Sequence, residues 1–270
     1  MHRRTLILSA IAAGTLTLAG CGRQKPQTAG KYKPIVLGTL AGPHAEIAEV
    51  AAKVAAEKGL QVKIVEFSDY GHVNEALNAR DVDCNAFQHK PYLDKAIASK
   101  GYKFTALGKT VLFPLGVYSQ KIHSKDEIQD GMLVTLPADP ANLGRALVLL
   151  ETHGIITIKP GKGIHATSHD IDKNPHNLVF KEVDSAYLGR SLPDVGFAVI
   201  NGSWAVKSNL SPVKDAFILE DGRSEFANIL AVRDEARDRP EFKILLESYQ
   251  SQKVRDFVKD KYKGSIVVAF

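Results

Sequence analysis

The chain has 270 residues, of which 44% are hydrophobic, and a formal net charge of +5 at pH 7. This length allows one large domain or two domains of about 100 to 130 residues. The lysines and arginines are scattered and form no basic stripe interleaved with aromatic residues, so the positive charge does not indicate a protein that binds nucleic acid.

The amino terminus has the pattern of an export signal. Arg3 and Arg4 precede an apolar run at 6–18, which is too short to span a bilayer as a mature helix. The Leu-Ala-Gly-Cys that ends at Cys21 resembles a bacterial lipobox, in which the cysteine is lipidated and becomes the first mature residue. We expect residues 1–20 to be removed; the alternative is an ordinary secretory signal with an incidental thiol.

Lipidation of Cys21 would attach the mature protein to a lipid bilayer, because several acyl chains hold a protein there firmly. Residues 21–33 are polar, with proline and glycine, and indicate a flexible tether. Gly22 leaves open whether the membrane is the inner or the outer one. Besides the lipidated cysteine only Cys84 remains, so we expect no disulfide within the chain and a buried free thiol.

The first folded segment alternates strands and helices. We predict strands at 34–39, 61–67, 84–87, 104–107 and 111–118, and helices at 45–58, 73–79 and 91–100. Pro91 suits the first turn of its helix and Gly101 suits its end. Alternating strands and helices favour βαβ units and a mostly parallel sheet.

A second segment has the same pattern. We predict strands at 132–136, 195–200, 217–219 and 226–232, a loop-rich stretch at 155–180, and amphipathic helices at 240–249 and 253–262. Asp139 is a plausible N-cap and Pro140 a plausible first residue for a further helix, which Gly154 ends. Two α/β segments in a chain of this length predict two lobes with a cleft between them.

Residues 85–93 read Asn-Ala-Phe-Gln-His-Lys-Pro-Tyr-Leu and closely resemble a signature of the methionine-binding lipoproteins of ABC importers, the NlpA/MetQ family. Stretches at 137–145, 194–201 and 226–232 resemble that family too. The resemblance implies an α/β periplasmic-binding-protein fold with two lobes, a ligand cleft between them, and no cofactor. It also implies that the chain crosses to the second lobe near 113–118 and returns near 226–232.

The implied domain boundaries follow from these crossings. Lobe 1 would comprise residues 34–114 and 230–270, and lobe 2 would comprise residues 115–229. The helices at 240–249 and 253–262 would then pack on lobe 1.

Aromatic side chains cluster where predicted strands end, the edge at which open α/β sheets bind ligands. A thioether prefers such surroundings, because sulfur–aromatic contacts contribute roughly 0.3–1.5 kcal/mol each. By resemblance, Tyr70, Phe87, His89 and Tyr92 line the family pocket. The loop after Tyr70 departs from the family pattern.

The two charged ends of an amino acid need different partners. Arginine offers a planar bidentate donor for the carboxylate, and Arg145 lies in an Asn-Leu-Gly-Arg stretch that opens a helix. The resemblance implies that Arg145 binds the ligand carboxylate and that Asn142 assists in this contact. It also makes Asn201 and Asn228 binders of the amino-acid backbone. Without the resemblance, each asparagine could simply form a hydrogen bond with a neighbouring backbone group.

The function implied is capture of methionine, as the L-form or as D-methionine or a derivative, for the membrane permease and ATPase of an ABC importer. A methionine-containing dipeptide is an alternative ligand. No nucleophile elbow, phosphate-binding glycine loop or His-Glu-x-x-His pair indicates an enzyme. A zinc-binding lipoprotein is the second alternative, because four histidines fall in one segment: His153, His165, His169 and His176.

Overall fold

A computed structural model describes residues 31–222 and 225–270. The predicted signal segment, the lipobox with Cys21 and most of the predicted tether lie outside the described residues. Within the described residues, no helix combines the length and the apolar character that crossing a membrane requires.

The first half of the chain builds one five-stranded sheet with helices between its strands. Its elements are β1 (Ile35–Leu40), α1 (Pro43–Glu57), β2 (Val62–Phe67), α2 (Gly71–Ala79), β3 (Cys84–Asn85), α3 (Lys90–Lys100) and β4 (Phe104–Lys109). A later strand, β13 (Ile229–Arg233), completes the sheet in the order β2-β1-β3-β13-β4. Helix α3 ends at Gly101, whose φ of 71° favours glycine.

The second sheet is also five-stranded, in the order β10-β7-β11-β6-β12. The segment contains β5 (Val111–Leu112), β6 (Gly116–Tyr118), β7 (Leu133–Pro137), α4 (Pro140–Thr152), β8 (Thr157–Ile158), β9 (Ile171–Lys173), β10 (Val179–Val183), α5 (Leu188–Ser191), β11 (Phe197–Ile200), α6 (Gly202–Lys207), α7 (Pro212–Asp215) and β12 (Ala216–Leu219). Strands β8 and β9 pair as a separate hairpin within the stretch predicted to be loop-rich.

The chain then returns to the first sheet and ends there. After β13 come α8 (Pro240–Tyr249), α9 (Gln252–Tyr262) and β14 (Val267–Val268), which pairs with β5. Short 3₁₀ helices occupy Lys125–Glu127, Gly163–His165, Ser168–Asp170, Ser185–Tyr187 and Asp234–Ala236. Phe242 of α8 and Val254 of α9 belong to the same core as Leu37 and Ile47 of the first sheet and its helix. A second core lies on the other sheet and includes Leu136, Leu147 and Phe197.

The chain changes sheets twice, and each change reverses one strand. The predicted strand at 111–118 is broken: β5 pairs with β14, while β6 joins the second sheet after Pro114. Strand β6 runs antiparallel to β11 and β12, and β13 runs antiparallel to β3 and β4. The other four strands of each sheet share one direction. Ile229, placed in lobe 2 by the predicted boundary, pairs with Lys109 of the first sheet.

Candidate functional site

A buried cavity between the two sheets brings the predicted site residues together. The space open to the centre of a water-sized sphere is about 20 Å³. Its lining includes all eight predicted residues, namely Tyr70, Phe87, His89, Tyr92, Asn142, Arg145, Asn201 and Asn228. Four further lining residues were not among the predicted site residues, namely His44, Gln88, Phe113 and Ser203.

The cavity lies where strands from both sheets end. Phe87 and His89 follow β3, and Tyr70 follows β2, all in the first sheet. Asn201 directly follows β11 of the second sheet, and α4, which begins after β7, carries Asn142 and Arg145. Carboxyl ends of parallel strands share one edge of a sheet, so residues distant in sequence meet there.

Helix α4 is fitted closely to the rest of its lobe. The Asp139 carboxylate caps the helix by accepting from the Asn142 backbone N–H at 2.9 Å. Gly144 is required by packing, because a Cβ built on it would lie 2.1 Å from the carbonyl oxygen of Ile164. This close approach explains the glycine that precedes Arg145.

Three aromatic rings form one continuous wall of the cavity. The ring centroids of Tyr70, Phe87 and Tyr92 lie 5.8–6.0 Å from one another. The rings therefore pack against each other and leave one shared apolar surface. Tyr70 also reaches the other lobe, since its hydroxyl lies 3.4 Å from Oγ of Ser203 and its ring lies 5.8 Å from that of Trp204.

Both ring nitrogens of His89 are occupied. Nδ1 accepts from the Tyr92 backbone N–H at 3.1 Å and so caps α3, which assigns the proton to Nε2. Nε2–H then donates to Oδ1 of Asn142 across the lobes at 3.1 Å. Burial, with a smaller contribution from Arg145, lowers the pKa of His89 to about 3. His89 is thus a neutral link between the lobes that offers its ring to the cavity.

The Asn142 side chain is the centre of a hydrogen-bond network. Its Oδ1 accepts from His89 and also from Nδ2 of Asn201 at 2.7 Å. Its Nδ2 donates to both carboxylate oxygens of Asp139 at 3.0 and 2.9 Å. Oδ1 of Asn201 accepts in turn from Ser185. Both the oxygen and the nitrogen of the Asn142 side-chain amide are therefore engaged, and we infer that Asn142 shapes the site by holding its neighbours.

Arg145 is 4% exposed, and one edge of its guanidinium is paired with Glu220. Its Nε donates to Oε1 of Glu220 at 2.9 Å, and its Nη2 contacts Oε2 of Glu220 and donates to the Phe113 carbonyl at 3.1 Å. The guanidinium also lies 4.5 Å from the centroid of the Phe226 ring. Within 31–222 and 225–270, Nη1 makes no hydrogen bond, which leaves this nitrogen for a carboxylate.

His44 and Asn228 form a buried pair on the lobe 1 side. Nδ2 of Asn228 donates to the Phe87 carbonyl at 2.9 Å and lies 3.0 Å from Nε2 of His44. The His44 ring stacks on that of Phe113 at 4.1 Å, and burial lowers the pKa of His44 to about 3. His44 follows the end of β1, so the strand-end rule that selected the other residues could also have found it.

A network of buried amides supports the stretch between β3 and α3. Nδ2 of Asn74 donates to Oε1 of Gln88 at 2.8 Å, and Nε2 of Gln88 donates back to Oδ1 of Asn74 at 2.8 Å. Asn85 donates to Asn74 and accepts from Gln88, at 2.9 Å in both cases. Such a fully paired network holds the neighbouring Phe87 and His89 in a defined position.

The four histidines behind the zinc alternative are spread over separate elements. His153 caps the end of α4, His165 and His169 lie in different 3₁₀ helices, and Nδ1 of His176 lies 3.2 Å from Oδ1 of Asp130. Among the described residues, no group of three or more histidine, cysteine, aspartate or glutamate side chains could hold a metal ion.

The chain resembles known proteins over nearly its whole length. The D-methionine-binding lipoprotein MetQ of Salmonella typhimurium is 43% identical over 257 residues, which cover 94% of this chain and 93% of the relative. The structure of a nutrient-binding protein from Burkholderia cenocepacia bound to methionine matches with a TM-score of 0.86 at 46% identity, covering 87% of this chain and 100% of that chain.

A second solved structure gives the same result. It is an ABC transporter periplasmic substrate-binding protein from Coxiella burnetii, with a TM-score of 0.85 and 41% identity. The match covers 87% of this chain and 100% of the Coxiella chain. The fold is therefore that of the periplasmic substrate-binding proteins. The family model described as NlpA lipoprotein matches residues 35–270, and the chain belongs to the NlpA lipoprotein family.

Proposed function

We propose that this protein captures methionine and delivers it to the permease and ATPase of an ABC importer. The observation that carries the proposal is the composition of the one cavity that the eight predicted residues line. It combines a guanidinium whose Nη1 has no hydrogen-bond partner among the described residues with a wall of three aromatic rings. A carboxylate fits the first feature and a thioether side chain fits the second.

The contacts favour a division of roles among the residues. Arg145 binds the ligand carboxylate through Nη1, while Tyr70, Phe87 and Tyr92 contact the side chain. Oδ1 of Asn228 is the acceptor for the ligand ammonium, because Nδ2 of the same amide already donates to Phe87 and His44.

The proposal includes a membrane anchor. Acylated Cys21 would hold the protein to a bilayer, with the two lobes facing the periplasm or the cell exterior. The relatives named as lipoproteins support this reading. Cys21→Ala should release the protein from the membrane fraction, and mass spectrometry should find no lipid on the variant. A variant that stays membrane-bound, with lipid on neither form, would overturn the anchor.

Thermal unfolding tests the ligand. The protein is unfolded, dialysed and refolded to remove endogenous ligand, and L-methionine is then added at about 1,000 times Kd. Binding to the folded state alone stabilises it by roughly 4 kcal/mol, and each kcal/mol raises Tm by about 2–4 °C in a chain of this size. We therefore expect an increase of roughly 8–16 °C.

Matched ligands complete the experiment. Norleucine, which replaces the sulfur by a methylene, should give a smaller increase in Tm than L-methionine. Alanine leaves the aromatic wall uncovered and should give little. The proposal fails if ligand-free protein responds only to zinc or to a methionine-containing dipeptide.

A further inference from the structure

Glu220 lies beside the cavity and braces the arginine that would bind the ligand. Its two carboxylate oxygens accept hydrogen bonds from Nε and Nη2 of Arg145. Oε2 also accepts from the Leu115 backbone N–H at 3.2 Å. Leu115 belongs to the outward crossing between the sheets, and Glu220 directly follows β12 at the start of the return. The Arg145–Glu220 pair therefore lies where both crossings meet.

This arrangement restricts how Arg145 can meet a ligand. A guanidinium has five N–H donors in a fixed planar fork. The donors on Nε and Nη2 point to Glu220 and to the Phe113 carbonyl, and the ring of Phe226 covers one face of the group. The Nη1 end is therefore the part of the fork available to a ligand, and Glu220 holds it in that orientation.

One guanidinium and two carboxylates lie at or next to the cavity: Glu220 pairs with Arg145, and Asp139 holds the Asn142 side chain. Among the described residues that line the cavity, Arg145 is the one that carries a charge at neutral pH, because burial keeps the imidazoles of His44 and His89 neutral by lowering each pKa to about 3. The Glu220 carboxylate offsets the Arg145 charge. A buried carboxylate beside the site disfavours a ligand that brings a further negative charge without a compensating positive one.

We propose that Glu220 is a positioning and specificity residue, which presents the Nη1 end of Arg145 and disfavours a carboxylate ligand that lacks an ammonium. The preferred ligand is then the zwitterion, with a free ammonium and a free carboxylate. An acid that lacks the ammonium brings a negative charge towards Glu220, and an amine that lacks the carboxylate leaves Nη1 without its partner. This inference rests on the proposed function, because it assumes a ligand of the methionine class.

Glu220→Gln tests the inference, because glutamine keeps the shape and an acceptor oxygen but removes the charge. The probes are L-methionine, 4-(methylthio)butanoate, which lacks the ammonium, and 3-(methylthio)propylamine, which lacks the carboxylate. Both analogues are smaller than methionine, so neither is rejected by size. Calorimetry on refolded, ligand-free protein should show that the variant prefers the butanoate, relative to L-methionine, by at least about tenfold more than the wild type does.

The propylamine should change in the opposite direction and bind relatively more weakly to the variant. A role of Glu220 in folding alone would weaken all three ligands by the same factor, and that result would overturn the inference. Absence of any gain for the butanoate would overturn it too. If the wild type bound none of the three ligands, the proposed function itself would fail.

Glu151→Gln is the matched control. Glu151 also belongs to lobe 2, and its Oε1 accepts from the Ile158 backbone N–H at 2.7 Å, but within the described part of the chain no hydrogen bond or ion pair joins it to Arg145. This variant loses a carboxylate that anchors backbone and should keep the ligand preferences of the wild type. A change of selectivity in Glu151→Gln as large as that in Glu220→Gln would show that the charge effect is not specific to Glu220.

Discussion

Replacement of Asn142 tests whether the hydrogen-bond network holds the site together. Asn142→Leu keeps a side chain of similar size but removes the acceptor that His89 and Asn201 share, at 3.1 and 2.7 Å. Two buried donors are then unsatisfied, at about 1–3 kcal/mol each. The lost hydrogen bonds to Asp139 add to this cost. The two donors alone should lower the free energy of unfolding by about 2–6 kcal/mol.

Comparison with Asn142→Ala separates hydrogen bonding from packing. Alanine leaves space for a water molecule, which can accept from both donors, so this variant should lose less stability than the leucine variant. A cost due to lost volume would give the reverse order, because leucine fills the space. Urea unfolding of ligand-free protein measures both values.

Asn78→Leu is the control for this comparison, because Asn78 is exposed on α2 and its replacement should change stability by no more than about 0.5 kcal/mol. Wild-type stability in Asn142→Leu would refute the reasoning, since it would mean that neither buried donor needs Asn142. A calorimetric titration of the same variant should also show weaker methionine binding, because His89 loses its link to the other lobe.

Three further outcomes are expected. Arg145→Ala should weaken methionine binding in calorimetry by about 30-fold to several thousand-fold, which is equivalent to about 2–5 kcal/mol. Near-unchanged binding would show that Arg145 does not bind the carboxylate. Gly144→Ala should lower the free energy of unfolding by about 1–3 kcal/mol, because its Cβ meets the Ile164 carbonyl; wild-type stability in urea would show that this loop yields without cost. The pKa values of His44 and His89 are about 3 in the folded protein, against an ordinary value of 6.5, so the unfolded chain binds more protons between these pH values. The free energy of unfolding should then fall as pH drops from 6.5 towards 3, by about 1.4 kcal/mol per pH unit for each histidine. His89→Gln should remove one such contribution, and an unchanged slope of stability against pH in this variant would contradict the effect of burial on His89.

Local sequence patterns predicted most of the elements, because their causes lie within a few residues. Asp139 and Pro140 mark the start of α4, and Gly101 marks the end of α3. The rule that ligands bind at strand ends, together with the resemblance, selected residues that line one cavity. The predicted strand at 111–118 was wrong as a single element, because its two halves belong to different sheets.

The sequence by itself determined the alternation of strands and helices, the family and the residue types of the cavity. Only the tertiary structure decided how those residues are paired. Arg145 and Glu220 are 75 positions apart, and His44 and Asn228 are 184 positions apart. Strand and helix formation depends on near neighbours, whereas the partner of a buried polar group depends on where the chain returns after two crossings. The same reason explains the reversal of β6 and β13, which the spacing of apolar residues does not encode.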